Sequence, residues 1–128
     1  MTLGLGIVAL AYSWAEAYPS KARLAIDAPL TYRCGPVARG SFGRHPWVIR
    51  NEGARRVKLR TYFTSGRSGF SLWQGVDHFI EPDQSIVVHL TWAAPSDRAR
   101  AFESYVILKT DDPERTEVRF RVVGTSGQ

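Results

Sequence analysis

Cysteine is almost absent from this sequence. Cys34 is the single one among 128 residues. One cysteine excludes a disulfide within the chain, and it excludes a metal site built on two cysteines at C-x-x-C spacing. We interpret Cys34 as a small, buried apolar side chain. In an exported protein, the alternative is a disulfide between two chains.

The sequence also lacks the patterns that carry catalytic chemistry. The three histidines, His45, His78 and His89, are not spaced as a ligand pair, and we interpret them as surface side chains. No Gly-x-Ser-x-Gly elbow exists for a nucleophilic serine. The Gly-rich stretch from Ser65 to Gly69 lacks the lysine of a phosphate-binding loop, and we interpret it as a flexible loop. We therefore predict a protein that is not an enzyme and binds no cofactor or metal.

Basic residues are in excess, but they are not clustered in long runs. The net charge is +5 and the pI is about 9.8, yet no run of five lysines or arginines occurs. A solvated basic surface is the interpretation that this spread favours, and nucleic-acid binding is not expected. The alternative is a surface that binds an anionic polymer or membrane. Its candidate residues alternate along two predicted strands: Arg56, Lys58, Arg60, Arg119 and Arg121.

The first residues form an apolar run without charge, from Leu3 to Ala15. As a helix it is shorter than the roughly 30 Å hydrocarbon core of a bilayer. The sequence Ala-Glu-Ala at 15–17 resembles a signal-peptidase site. We predict that residues 1–19 are a membrane anchor, a transmembrane helix or a signal peptide, and that residues 20–128 are one domain. The alternative is a buried first helix or strand of that domain.

The orientation that this segment predicts is not supported by its flanking charges. No lysine or arginine precedes the apolar run, whereas Lys21 and Arg23 follow it. The positive-inside rule would place such a flank in the cytoplasm. A start upstream of Met1 would account for both the short run and the missing charges.

Beyond residue 20 the hydrophobic pattern is that of short strands. In the clearest strand, Ser85–Trp92, the inward positions are Ile86, Val88, Leu90 and Trp92. Arg56–Phe63 also alternates, with Val57, Leu59, Thr61 and Phe63 on one face. Other strands are predicted at 23–26, 46–50, 70–73, 78–80, 104–110 and 117–123, with a polar loop at 93–101. About seven strands of this kind predict an all-β, immunoglobulin-like antiparallel sandwich.

The tryptophans give a further test of this pattern. Trp92 lies in an inward series, and Trp47 follows Pro46 on a predicted strand, so both are expected between the sheets. Trp73 is the candidate for an exposed binding contact because a loop and Gly75 adjoin it. Core packing is nevertheless the interpretation favoured for Trp73. Trp14 belongs to the apolar N-terminal run.

Two turns are predicted from aspartate and proline. Pro82 and Asp83 suit the centre of a type I turn, in which Asp83 does not need a positive φ. Asp111, Asp112 and Pro113 end a strand, because proline cannot continue the ladder. Aspartate side chains accept hydrogen bonds from backbone amides one or two residues ahead, which makes this corner structural. The alternative, a calcium site that includes Glu114, has fewer oxygens than the six to eight that calcium takes.

Three stretches, in this order, resemble the Hydin-type, ASH-like immunoglobulin domains and a related bacterial family of unknown function. They are "WVIRNEG" at 47–53, "IEPDQSIVVHLTW" at 80–92 and "ILKTDDPERTEVRFRVVG" at 107–124. The resemblance covers about residues 24–124. It implies an exported or membrane-tethered bacterial module without established activity. With this resemblance, we predict a domain on the extracytoplasmic, periplasmic side of a bacterial membrane.

This sequence departs from the family pattern in three places. The bacterial family often has Cys-x-Cys in the middle, where this chain has "TSGRSGFSL" at 64–72, so no role of that pair is carried over. Asp83 stands where the family's turn has glycine, and Asp111 where its corner has asparagine. We predict a non-catalytic interaction or structural module whose partner is a protein. The oligomeric state is not predicted.

Overall fold

The computed structural model describes residues 23–127, and these form nine β-strands. The strands are β1 (Leu24–Ile26), β2 (Thr31–Arg33), β3 (Phe42–Asn51), β4 (Val57–Thr64), β5 (Gly69–Phe70), β6 (Asp77–Ile80), β7 (Ser85–Ala93), β8 (Ala101–Thr110) and β9 (Glu117–Thr125). The predicted anchor at 1–19, with Trp14, lies outside the described residues. Within 23–127, no helix has the length and apolar character needed to cross a bilayer.

The strands form two sheets packed face to face. One sheet has the order β1-β3-β7-β5, and the other has the order β2-β9-β8-β4-β6. All pairs are antiparallel except β2 with β9. The predicted all-β, immunoglobulin-like sandwich is confirmed, with nine strands where about seven were predicted. β2 was not predicted. β8 begins at Ala101, the last residue of the predicted loop, and so starts earlier than the strand predicted at 104–110.

The core lies between the sheets and is centred on aromatic rings. Trp47 of β3 stacks on Phe120 of β9, with ring centroids 4.5 Å apart, and Phe70 lies 6.3 Å from Phe120. Trp47 is 1% exposed, and its indole N–H donates to the carbonyl of Pro29 at 2.9 Å. Because that polar atom is satisfied, the large ring is buried without an unpaired donor. Trp92 is also buried, as the alternation of β7 predicted.

The alternation of β4 changes face at a β-bulge. Val57, Leu59 and Thr61 are buried as predicted, but the register with β8 shifts between Thr61 and Phe63. The extra residue, Tyr62, places Phe63 on the outer face, where it is 41% exposed. The prediction that Phe63 faces inward was therefore wrong, because a bulge reverses the period-two pattern downstream of it.

Asn51 closes β3 from a fully buried position. Its side-chain amide donates to the carbonyls of Arg55 and Ile80 at 2.8 and 2.9 Å, and its oxygen accepts from the N–H of Gly53 at 2.9 Å. The Asn-x-Gly sequence thus forms a turn that also fastens the end of β6. A buried amide with three partners satisfies most of its hydrogen-bonding capacity.

The corner after β8 is built on Asp112, which is 2% exposed. One carboxylate oxygen accepts the backbone N–H of Leu24 at 3.0 Å, and the other accepts that of Glu114 at 2.9 Å. Its neighbour Asp111 accepts the N–H of Lys58 at 2.8 Å and lies 3.3 Å from the guanidinium of Arg55. The corner therefore joins β1 and β4 to the β8–β9 connection.

The turn between β6 and β7 differs from its prediction. Gln84 donates to the carbonyl of Glu81 at 2.9 Å, and Asp83 has a φ of 65°. With Pro82 fixed at negative φ, a positive φ at the next residue is that of a type II turn. The prediction of a type I turn without positive φ was wrong. Asp83 occupies the left-handed conformation that glycine adopts most readily.

Candidate interaction surface

Five predicted anion-binding residues lie on one surface, the outer face of the five-stranded sheet. Lys58 and Arg60 alternate with the buried side chains of β4, and Arg119 and Arg121 do so on β9. Arg56 precedes β4 in the same phase. We name this surface the basic-aromatic face and define it by its basic and aromatic side chains: Arg56, Lys58, Arg60, Tyr62, Phe63, Phe79, Tyr105, Lys109, Arg119 and Arg121.

Three of the cations lie over aromatic rings of this face. The guanidinium carbon of Arg56 is 4.3 Å from the centre of Phe79, and that of Arg119 is 5.0 Å from Tyr105. The ammonium of Lys109 lies 5.1 Å from the ring of Tyr62. Each distance is within the range of a cation–π contact. The rings therefore hold the ends of these long side chains in place above the sheet.

Three other contacts of the face are ion pairs between neighbouring strands. Arg60 bonds Asp77 at 2.8 Å, Lys109 bonds Glu117 at 2.7 Å, and Arg121 bonds Glu103 at 2.5 Å.

The hydrogen bond from Arg60 lowers the pKa of Asp77, and the one from Lys109 lowers the pKa of Glu117. Such exposed pairs contribute little to stability. Their main effect is to neutralise part of the positive charge that the sequence distributes along these strands.

Aromatic side chains are exposed on the same face. Tyr62 is 59% exposed, Phe63 41% and Phe79 43%. Arginine together with exposed aromatic side chains is the composition enriched in protein–protein interfaces. The sequence analysis named the cations of this face as binding residues but none of these rings, although alternation placed Tyr62 on the outward side. Tyr62 and Phe79 stand at outward positions of their strands, so an aromatic residue in the polar phase of the alternation was the available signal.

Trp73 is the most exposed tryptophan among residues 23–127, with 78% of its surface accessible to solvent. The loop that carries it is fixed to β4: Gly75 donates to the carbonyl of Thr61 and Gln74 to that of Tyr62, both at 3.1 Å. The prediction that Trp73 packs in the core was wrong, and the binding-contact alternative fits its position. The short loop turns away from β5 at Gly75, whose φ is 78°, and leaves the indole outside the sandwich.

Solved structures of other proteins share this architecture. No protein-family model and no curated protein matches the sequence. A PapD-like ASH domain of human CEP192 superposes with a TM-score of 0.62 over 86% of this chain and 89% of that one, at 14% identity. The fold is that of the ASH/PapD-like domains. The resemblance of the sequence to ASH-like domains is thus confirmed for the fold.

Two further solved structures share this ASH/PapD-like fold. One is a protein of unknown function from Porphyromonas gingivalis W83, with a TM-score of 0.60 at 13% identity; the match covers 84% of this chain and 48% of that one. The other is WR4, a C. elegans MSP family member, with a TM-score of 0.53 at 14% identity over 79% and 96% of the two chains. Identities this low establish architecture and leave activity open.

The ASH/PapD-like fold does not bring the histidines together. His45 stacks on Tyr32 with ring centroids 3.8 Å apart and meets Trp47 edge-on at 4.6 Å, and burial lowers its pKa. His78 lies on β6 and His89 on β7, in opposite sheets. Within residues 23–127, no three side chains of the types that bind metals are grouped.

Cys34 lines an open cleft of about 630 Å³ at one end of the five-stranded sheet, beside Phe102 and Gly124. It is partly exposed and packs against the core, close to the buried position that the sequence predicted. Burial raises the pKa of its thiol. Since the thiolate is the reactive form, the raised pKa makes Cys34 a poor nucleophile.

Proposed function

We propose that this protein is a non-catalytic interaction module that binds a protein partner through the basic-aromatic face. The observation that carries the proposal is the exposure of Tyr62, Phe63 and Phe79 beside arginines whose positions are fixed by ring contacts. Aromatic and arginine side chains dominate the binding energy of protein interfaces. Trp73 is a further exposed aromatic side chain next to this face, on the short loop that Gln74 joins to the carbonyl of Tyr62.

The proposal includes a place in the cell. The apolar run Leu3–Ala15 supports attachment to a bacterial membrane, or export across it, with the domain on the extracytoplasmic side. Fractionation of the full chain tests this part separately. Recovery in the membrane or exported fraction is expected, and recovery of all the protein in the cytosolic fraction would contradict it.

The second candidate is binding of an anionic polymer or membrane surface by the same cations. Its support is the excess of basic over acidic side chains on the face. Against it, Arg60, Lys109 and Arg121 are already paired with carboxylates. An anionic polymer would have to displace these pairs, whereas a protein partner uses the exposed rings and leaves the pairs intact.

A photo-crosslinking side chain at Phe79 tests the protein-binding function in cells. A discrete adduct is expected in cells. In a cell lysate it should form equally well in about 1 M salt, where charges are screened within about 3 Å. Thr91 is the matched control, because it is exposed on the outer face of the other sheet. An absent adduct at Phe79, or the same adduct from Thr91, would contradict the proposal.

Heparin chromatography separates the two candidates. We expect weak retention that ends near about 0.15 M salt, where the screening length is about 8 Å. Retention that persists above this salt and disappears in the triple variant Arg56→Ala, Lys58→Ala, Arg60→Ala would favour the polyanion candidate.

A further inference from the structure

One stretch of β7 has a strand on one side alone. β3 pairs with β7 along its whole length, from Arg50 opposite Ser85 to Phe42 opposite Ala93. On the other side, β5 covers Leu90 and Thr91, and Ser71 continues the contact as far as His89. The chain then turns away toward β4. Among residues 23–127, no strand pairs with that side of Ser85–Val88.

The hydrogen bonds around this stretch show where its backbone groups point. The N–H of His89 donates to the hydroxyl of Ser71 at 2.9 Å, and its carbonyl accepts the N–H of Ser71 at 3.0 Å. Residues two apart in an antiparallel strand direct their backbone groups to the same side. The N–H and C=O of Val87 therefore point to the open side.

β3 gives the same result from the opposite side. Val48, which lies opposite Val87, donates its N–H away from β7, to the carboxylate of Asp27 at 3.2 Å. Pro46, opposite His89, has no N–H to donate. Val48 and Val87 are therefore a non-hydrogen-bonded pair of the ladder, so β3 satisfies neither backbone group of Val87.

The other exposed edges carry features that discourage strand addition. Along the outer edge of β3, β1 pairs with Ile49–Asn51, the side chain of Asp27 accepts the N–H of Val48, and Pro46 has no N–H to offer. β6 ends before Pro82, and β2 is three residues long between Pro29 and Pro36. Short strands, prolines and inward-turned polar groups are the means by which proteins protect edges. Ser85–Val88 belongs to a nine-residue strand and contains neither a proline nor a charged side chain.

The side chains of the open stretch are apolar on both faces. Val87 is 53% exposed on the outer face, and Ile86 is half-buried on the inner face. No charged residue occurs from Gln84 to Val88. The open backbone donors and acceptors match those of an extended peptide, and the apolar side chains beside them favour a peptide without charged side chains. This is the mode of binding called β-augmentation.

A second copy of this chain fits the edge poorly. Pairing Ser85–Val88 with itself would join two folded chains through four residues each. That contact is too small to hold a dimer on its own, since stable interfaces bury roughly 1,200 Å² or more. Each copy also carries a net charge of +5. A flexible segment of another protein also pairs with these four residues, but it need not carry the positive charge that makes two copies repel each other.

We propose that the open side of Ser85–Val88 binds an extended segment of a partner protein, uncharged where it pairs and apolar on one face, as an added strand in line with β5 and antiparallel to β7. The site is on the edge of the four-stranded sheet, whereas the basic-aromatic face belongs to the five-stranded sheet. The two proposals therefore fail independently.

A synthetic peptide, acetyl-Glu-Thr-Val-Thr-Val-Thr-Glu-amide, is the probe. Added to the full chain, it is expected to shift the amide resonances of Ser85 and Val87 and to slow hydrogen exchange of the Val87 amide about tenfold, since exchange requires opening of the added pair. Resonances of the basic-aromatic face report separately on any contact made by the glutamates. No shift at Ser85 and Val87 at millimolar peptide would overturn the proposal.

Val87→Pro removes an N–H at the centre of the open stretch that the peptide needs, and β3 does not use that N–H. This variant should keep the β3–β7 ladder and lose the peptide-induced shifts, whereas Val87→Thr should keep both. A second peptide, N-methylated on alternate residues along the edge that meets β7, removes the same bonds without changing the protein. Equal binding by Val87→Pro or by the methylated peptide would overturn the proposal.

The free protein supplies the last check. A photo-crosslinking side chain at position 87, mapped by mass spectrometry without peptide, should give no crosslink within the chain's own first 22 residues. Such a crosslink, or a Val87 amide as protected as that of buried Val88, would show that the edge is already covered and would overturn the proposal.

Discussion

The two aspartate–proline turns of this molecule have similar sequences and opposite structures. In Pro82-Asp83 the aspartate follows the proline, has a φ of 65° and leaves 88% of its side chain exposed. In Asp112-Pro113 the aspartate precedes the proline and is buried, with both oxygens bonded to backbone amides. The difference teaches that the order of the two residues decides what the carboxylate does.

The physical reason is the restriction that proline imposes on each neighbour. The residue before a proline is held in an extended conformation, which directs the Asp112 side chain back across the chain to Leu24. The residue after a proline in a two-residue turn is free to take positive φ, which directs the side chain of Asp83 into solvent. One carboxylate thus joins β1 to the sandwich, and the other has Arg50 as its neighbour.

Of the changes that test this comparison, Asp112→Ala is expected to cause the largest loss of stability. It leaves the N–H groups of Leu24 and Glu114 without their acceptor and should lower the free energy of unfolding by about 1–3 kcal/mol, the cost of buried unsatisfied donors. Urea denaturation measures it. Asp111→Ala is the control. Its ion pair with Arg55 and its hydrogen bond from the N–H of Lys58 are both solvent-exposed, so their loss should cost less than about 1 kcal/mol. Equal losses in the two variants would contradict the distinction between the neighbouring aspartates.

A smaller effect is expected at the other turn. Asp83→Val places a β-branched residue at positive φ and should cost about 1–2 kcal/mol in a thermal or urea melt, because the left-handed conformation crowds its side chain. Asp83→Gly, which removes that crowding, should not destabilise the protein. A tolerated valine would show that the turn rearranges and that its backbone conformation is not imposed by Pro82.

The smallest expected effect is that of calcium. Millimolar calcium should leave the melting temperature unchanged, because the oxygens of Asp112 are bonded to backbone amides and the corner supplies fewer ligands than calcium takes. A saturable rise in melting temperature that Asp112→Ala abolishes would replace the structural interpretation of the corner with a metal site.

The parts of the fold that follow from side-chain period were predictable. β7 and β9 alternate without interruption, and their inward residues Val88, Leu90, Phe120 and Val122 are fully buried. The first half of β3 was missed because Phe42, Gly43 and Arg44 show no apolar alternation. Gly43 is required there because a Cβ would lie 2.0 Å from a ring atom of Trp92. That contact joins neighbouring strands of one sheet and is invisible in the local sequence.

The site was predictable in the same limited way. Alternation alone placed Arg56, Lys58 and Arg60 on one face, and the structure adds the cross-strand partners that decide their state. Arg60 meets Asp77 and Arg56 meets Phe79 because β6 pairs with β4, a pairing between strands separated by a loop and β5. The bulge at Tyr62, which exposes Phe63, likewise depends on the register with β8. Register is a tertiary property, so no window of sequence contained it.

The packing of Cys34 has a practical consequence for chemical labelling. Its sulfur would lie 2.4 Å from a Cβ on Gly124, so the thiol occupies the space that this glycine leaves vacant. Burial also raises its pKa, which keeps it protonated at neutral pH. A cysteine introduced on either outer face, with an ordinary thiol pKa, would therefore react first with maleimide or iodoacetamide. Fluorophores or spin labels for distance measurements can thus be attached selectively while the native cysteine stays in place.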